Sequence, residues 1–175
     1  PGTEAFELYG YIAQSTGMHA AGLHAYDGHI RDKDITIRQQ KCNIAFEAVE
    51  ALASRLEDAG YKVPTIVAGG SPTFPIHARR KKVECSPGTF IYWDKGYMDG
   101  CPEQDFLPAA VLITRIISIP GKDLLCTDLG HKSVAAENEI GKRVYFPDDP
   151  QIEVLSQSEE HLVGKNHGNK DYFVK

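Results

Sequence analysis

What this sequence has little of narrows its class before any motif is read. There is no basic surplus: 19 Lys and Arg stand against 24 Asp and Glu, a net charge of −5. Nothing is therefore on hand to neutralise a phosphate backbone, which argues against a nucleic-acid partner. The densest basic run, His77 to Lys82, holds only four basic residues and reads as a solvated helix face or turn. No apolar stretch approaches the roughly 20 residues of a membrane span. Cysteine is sparse and unpaired: Cys42, Cys85, Cys101 and Cys126 contain no CxxC pair. That favours reduced thiols in a cytoplasmic protein over a disulfide framework. No GxSxG elbow is present, so a hydrolase-type Ser–His–Asp triad is set aside. No signal-peptide pattern opens the chain, and the first residue is Pro1 rather than Met, so a processed, cloned or internal start is expected.

What is present reads first as alternating helix and strand. Ala5, Leu8, Tyr9 and Ile12 follow helical spacing within a helix expected from Glu4 to Gln14, with Gly17 ending it. "AAGLHAY" then reads as a short strand running into the turn "DGH". A long helix follows from Asp32, with Cys42, Ala45, Phe46, Val49, Leu52, Ala53 and Leu56 as one apolar stripe. Asp32 and Asp34 suit its positive end, and Gly60 suits its C′ position. A strand at Thr65 to Ala68, a short helical or irregular piece, a short strand-like start at "VEC" (Val83 to Cys85) and a strand at "FIYW" (Phe90 to Trp93) complete the series. Such an order is the grammar of parallel βα units.

Near Asp105 the grammar changes. "AAVLITRIISI", "KDLLCTDLG", "KRVYF" and "IEVLSQSEEHLVG" read as strand-like segments broken by Pro, Gly and Asp, so a mostly antiparallel β region is expected from Pro108 onward. About three βα strands cannot cover a parallel sheet, and a closed (β/α)8 barrel takes about 250 residues. The fold class expected is α/β then β: the second half of a (β/α)8 barrel over 1–104, then an incomplete β domain over 105–175.

In parallel folds, ligands sit on the loops at the C-terminal ends of the strands. Two small-residue loops stand there: Gly69, Gly70 and Ser71 in "AGGSPT", and Gly88 and Thr89 in "SPGTF". They read either as plain turns or as a phosphate cradle, in which Gly lets the backbone approach and N–H and hydroxyl groups converge on the anion. Seven histidines invite a metal, yet no His-x-His or His-x-x-x-His spacing occurs, so satisfied or exposed histidines are the better expectation. Strand alternation puts His24 and Tyr26 on one face, with Tyr26 suited equally to packing and to a site.

Taken together, "GLHAYDGHIRD", "VAGGSPTF", "ECSPGTFIYWDKGY", "TDLGHKS" and "SEEH" resemble, in order and approximate spacing, one family. It is the group of pyridoxal-phosphate enzymes containing D-threonine aldolase and eukaryotic-type D-serine dehydratase, with the alanine-racemase-like fold. The resemblance implies that Gly70, Ser71, Gly88 and Thr89 contact the cofactor phosphate. It places Tyr26 and His29 near the cofactor ring or substrate, as the catalytic candidates. Asp94 and Tyr97 match the family's strand-end Asp and Tyr, and are expected at the cofactor. Asp128 and Lys132 of "TDLGHKS" are expected to serve architecture or a dimer interface, and His161 carries no assigned role.

Two family features are not matched in this stretch. The Schiff-base lysine belongs on a strand upstream of Pro1, and Lys33, Lys41 and Lys95 sit in contexts unlike it. The His-x-Asp or His-x-Cys metal pair belongs after Lys175, so the ligands of the divalent metal lie outside this chain and no metal ligand is assigned within it. The chain alone is therefore expected to be inactive. The whole enzyme implied is a D-threonine-aldolase-like lyase, a cytoplasmic homodimer acting on a D-amino acid. D-serine dehydratase or an amino-acid racemase is the alternative, and a non-catalytic cofactor- or phosphate-binding fragment is the alternative of another class.

Overall fold

The computed structural model describes residues 2–168 and 170–174, leaving the terminal residues Pro1 and Lys175 outside the described residues. The chain divides into two compact units, Pro1–Ala110 and Val111–Lys175. In the first, helix α1 (Thr3–Gln14), strand β1 (Leu23–Ala25), helix α2 (Ile35–Asp58), strand β2 (Ile66–Ala68), the short helix α3 (Phe74–His77) and strand β3 (Val83–Cys85) follow one another. The strands form a parallel sheet in the order β1-β2-β3, pairing Leu23 with Ile66 and Ile66 with Val83. All three strands therefore end at one level, and the loops that follow them leave from the same edge.

Helix α2 is the anchor of this unit. The Asp34 carboxylate accepts from the Thr36 and Ile37 N–H groups and so caps the start. At the other end Gly60 takes φ +87°, the left-handed position that stops a helix without a Cβ penalty. Along the predicted stripe, Cys42, Phe46, Val49, Leu52, Ala53 and Leu56 are buried, and Ala45 is exposed. Phe46 and Val49 pack with Ala68 against Leu23, Ala25, Ile66 and Val83, which seats α2 on the sheet. Burying Phe46 and Val49 contributes on the order of 1.5–3 kcal/mol each. On α1 the buried face departs from the prediction: Leu8 is exposed, whereas Tyr9, with Ala5 and Phe6, packs on Leu52 and Leu56.

Two further predictions are corrected in this unit. "FIYW" is not a strand; Thr89–Ile91 forms a 3-10 turn, and the third strand lies earlier, at Val83–Cys85. Phe90 joins Phe74 and Phe106 in an aromatic cluster, and Trp93 takes φ +48°, which no strand accommodates. The basic run is only partly a solvated face, because His77 at its head is buried. Helix α4 (Lys95–Gly100) closes the unit.

The second unit is a four-stranded antiparallel sheet in the order β4-β5-β7-β6, built from β4 (Ile116–Gly121), β5 (Leu124–Thr127), β6 (Ile152–Gln157) and β7 (Leu162–Asn166). "IEVLSQSEEHLVG" is two strands rather than one, turned at Ser158–His161, where the Ser158 N–H donates to the His161 carbonyl (2.8 Å). "KRVYF" is no strand: Val144 and Phe146 instead pack on Leu129, Val154 and Leu162. Among the described residues no helix is long and apolar enough to cross a membrane.

Candidate functional site

The three strand ends of the first unit are laced together by the backbone. Gly69 N–H donates to Ala25 O (3.0 Å), which ties the β2 loop to β1. Ser86 N–H donates to Ala68 O (3.2 Å) and Ser86 Oγ to Gly69 O (2.8 Å), which ties the β3 loop to β2. Gly69 takes φ +83°, and a Cβ there would come within 2.7 Å of His77 Cδ2. A Cβ on Gly70 would stand 3.1 Å from Tyr26 Cε2, and one on Gly28 would strike the Tyr26 hydroxyl. The Tyr26 ring is thus held between two glycines, 69% exposed, and the packing role left open from sequence does not apply. Tyr26 and His29 line one cavity of about 380 Å³, together with Asp27, Cys42 and His77.

Beneath Tyr26 lies a buried polar network that the sequence did not reveal. Thr73 Oγ1 donates to Asp27 Oδ1 (2.7 Å) and accepts from Gly70 N–H (3.2 Å). Asp27 Oδ2 lies 2.9 Å from His77 Nε2, and Cys42 Sγ lies 3.2 Å from the same nitrogen and 3.7 Å from Asp27 Oδ2. Burial pushes the Asp27 carboxyl up, but hydrogen bonds from His77, Thr73 and Cys42 and the charge of His77 outweigh it and leave the group below its usual value. Burial, then the Asp27 charge, pushes the Cys42 thiol up to about 11 against the opposing Arg80 guanidinium. Cys42 is therefore a thiol at neutral pH, not a nucleophile. These residues come from β1's loop, α2 and α3, 15, 35 and 50 positions apart, and no local motif marks such a set.

The residues expected from sequence to cradle a phosphate divide into two kinds. Gly70 N–H is turned inward to Thr73, and Ser71 is buried with its carbonyl accepting from Gln104 Nε2 (2.8 Å). Gly88 is exposed, with open space where a Cβ would stand, and Thr89 begins the 3-10 turn after it. An anion approaching these strand ends would thus find open backbone at Gly88–Thr89, and at Gly70 a chain without a side chain beside the Tyr26 ring. That arrangement fits a phosphate-bearing cofactor. Asp94 and Tyr97 have local work: Asp94 Oδ1 caps α4 by accepting from Tyr97 N–H (2.9 Å), and the Tyr97 ring lies against Trp93, centroids 5.5 Å apart.

In the second unit "TDLGHKS" and "SEEH" meet. His131 N–H donates to Ser158 O (2.9 Å), Lys132 N–H to Glu159 O (3.2 Å), and Lys132 Nζ sits between Glu159 and Glu160 at 2.6 and 2.7 Å. A Cβ on Gly130 would collide with the Glu159 backbone, so only glycine allows this approach. Asp128 accepts from Thr114 Oγ1 (2.8 Å) and from the Arg115 N–H and Nε (both 2.9 Å). The Arg115 backbone bond above all, then the Thr114 and Arg115 side chains, holds its carboxyl at about 2.

Parallel strand ends of this kind in one unit and an antiparallel sheet in the next are the two parts of an alanine-racemase-like fold, and comparison with solved structures agrees on the fold. D-threonine aldolase from Filomicrobium marinum matches over 97% of this chain and 46% of its own, at 25% identity and a TM-score of 0.86. An alanine-racemase-like protein from Idiomarina loihiensis matches at 23% identity and a TM-score of 0.70, over 91% of this chain and 46% of its own. D-threo-3-hydroxyaspartate dehydratase from Delftia sp. HT23 matches at 18% and 0.61, over 86% and 44%. The chain spans about half the length of each. Residues 109–174 match the family model described as "Putative serine dehydratase domain". No curated protein sequence matches. The resemblance read from the motifs is borne out: the chain is similar to the family of D-threonine aldolase and D-serine dehydratase, in sequence over its β region and in fold over almost its whole length.

Proposed function

We propose that this chain is the second half of a pyridoxal-phosphate-dependent lyase that cleaves a D-3-hydroxy amino acid into glycine and an aldehyde. The observation that carries the reading is the placing of both glycine loops at the same edge of a parallel sheet, with Tyr26 over Gly70. The likeness to a D-threonine aldolase supports it. Gly88 and Thr89 would offer backbone to the cofactor phosphate, Gly70 and Ser71 would shape the facing wall, and Asp94 and Tyr97 would stiffen the turn beyond. When bound, the cofactor would supply an electron sink for breaking a bond at the substrate Cα. Tyr26 would bound the substrate on one side. His29, exposed on the same cavity, would take the proton from the substrate's β-hydroxyl as the Cα–Cβ bond breaks. We assign the lysine that carries the cofactor, and the ligands of the assisting divalent metal, to residues outside this chain. The full protein would work as a cytoplasmic homodimer.

A second reading, dehydration of a D-3-hydroxy amino acid, is favoured by the match of residues 109–174 to a serine dehydratase model. The full-length protein, supplied with pyridoxal phosphate and a divalent metal, is incubated separately with D-threonine and D-serine. Glycine and acetaldehyde from D-threonine support the aldolase reading. Pyruvate and ammonia from D-serine, without glycine, replace it by the dehydratase. Neither product overturns both, and cofactor retained without either product leaves a non-catalytic binding module.

A further inference from the structure

We propose that Asp27, Cys42 and His77 form a binding site for one divalent cation of the zinc class, with a coordination position open to the cavity beside Tyr26. The inference does not depend on the lyase reading, whose metal was assigned to residues outside this chain.

Geometry is the first ground. Asp27 Oδ2, His77 Nε2 and Cys42 Sγ lie 2.9, 3.2 and 3.7 Å from one another. Zinc bonds of about 2.0–2.3 Å put tetrahedral neighbours about 3.3–3.6 Å apart, so the triangle needs shifts of only a few tenths of an ångström to hold an ion. They are the one group of His, Cys, Asp or Glu donors found so convergent among the described residues.

Hydrogen bonding alone serves this triangle poorly. His77 Nε2 carries at most one hydrogen and faces both Asp27 Oδ2 and Cys42 Sγ. Cys42 Sγ sits 3.7 Å from the carboxylate, a hydrogen bond at the long end for a thiol donor. A cation at the centre satisfies all three at once. Charge agrees: one carboxylate and one thiolate balance a dication, so the buried site would be neutral. A bound metal deprotonates a coordinating thiol outright, so the high resting position of the Cys42 thiol makes binding proton-releasing rather than impossible.

The carboxylate's surroundings match what such a site requires, while His77 Nδ1 is buried without a partner among the described residues. Thr73 Oγ1 donates to Asp27 Oδ1, the oxygen that does not face the triangle, and so fixes the carboxylate's orientation. The Phe46 and His77 rings pack edge to face, centroids 5.2 Å apart at 65°, which holds the imidazole plane. Cys42 and His77 are almost fully buried, at 1% and 2% exposure, yet all three residues are among those that line the cavity of about 380 Å³. Three protein ligands and one cavity-facing position are the pattern of a zinc ion that keeps a water or a substrate oxygen. A Cys–His–carboxylate set selects zinc, or cobalt as its stand-in, over the all-oxygen preference of magnesium and calcium.

Cobalt(II) alone, titrated into the chelator-treated full-length protein, tests this. We expect the wild type to bind one equivalent more than either Cys42→Ser or His77→Gln, and Cys42→Ser to remove a thiolate-to-cobalt charge-transfer band. Any metal site elsewhere in the protein contributes equally to all three and cancels. Unchanged stoichiometry and an unchanged band in Cys42→Ser would overturn the proposal. If the variants fail to fold, the difference X-ray absorption spectrum of the wild type decides, taken on zinc-loaded protein before and after alkylation of every thiol except the metal-protected ones. Cys42 recovered unmodified, with a zinc–sulfur shell, supports the site; Cys42 alkylated as fast with zinc as without overturns it.

Discussion

Gly69 shows how much one residue can settle. It must take φ +83°, and a Cβ would come within 2.7 Å of His77 Cδ2 and 3.0 Å of Thr73 Oγ1. Gly69→Ala is therefore expected to lose about 1–3 kcal/mol, the cost of a strained left-handed residue, read by urea unfolding. An unchanged midpoint would mean that the loop relaxes freely. Asp128 makes a prediction of the opposite kind, about pH. Its carboxyl sits at about 2 against an ordinary 3.8, so its stabilising charge is fully present above the ordinary value and is lost as pH falls through about 2. Asp128→Asn should melt lower than the wild type at neutral pH, and the gap should close in strong acid. A gap that stays constant down to the lowest pH at which both proteins fold would show that the charge does nothing. Both residues stood in motifs visible in the sequence, but their physical duties did not. Glycine repeats announce a turn, whereas the need for glycine came from His77, eight positions away and on another element.

At the scale of elements, helix α2 was legible because its apolar positions recur at helical spacing and its ends carry Asp34 and Gly60. Leu56, with no exposure, sits where that stripe meets α1, and Leu56→Ala should cost about 2–5 kcal/mol by chemical denaturation. A loss below 1 kcal/mol would mean, in terms of the same cavity argument, that the site collapses around the gap. The segment Phe90–Trp93, after β3, was misread as a strand because Phe, Ile, Tyr and Trp are all strand formers. Tertiary packing of Phe90 on Phe74 and Phe106 overrode that preference. The hairpin β6–β7 read as one segment because Ser158, Glu159, Glu160 and His161 form its turn without glycine or proline. Least legible of all was the Asp27–Cys42–His77 set, because its members lie on three separate elements, and spacing rules see only one element at a time.

At the scale of the whole molecule, the parallel sheet raises the largest question. Its order β1-β2-β3 leaves β1 and β3 each with one partner among the described strands. Unpaired strand edges are templates for association. The isolated 175-residue chain is expected to elute from a sizing column well ahead of a monomer, and a single monomeric peak would overturn that expectation. The antiparallel unit is built otherwise. Its order β4-β5-β7-β6 places β7, the last of the described strands, in the interior of the sheet, joined to β5 on one side and β6 on the other. On a ribosome, this sheet therefore remains two unconnected pieces until Leu162–Asn166 has emerged. A stop codon just before Leu162 would not trim an edge; it would remove the seam that joins the two halves, and the truncated product should be cleared by proteases as an unfolded tail.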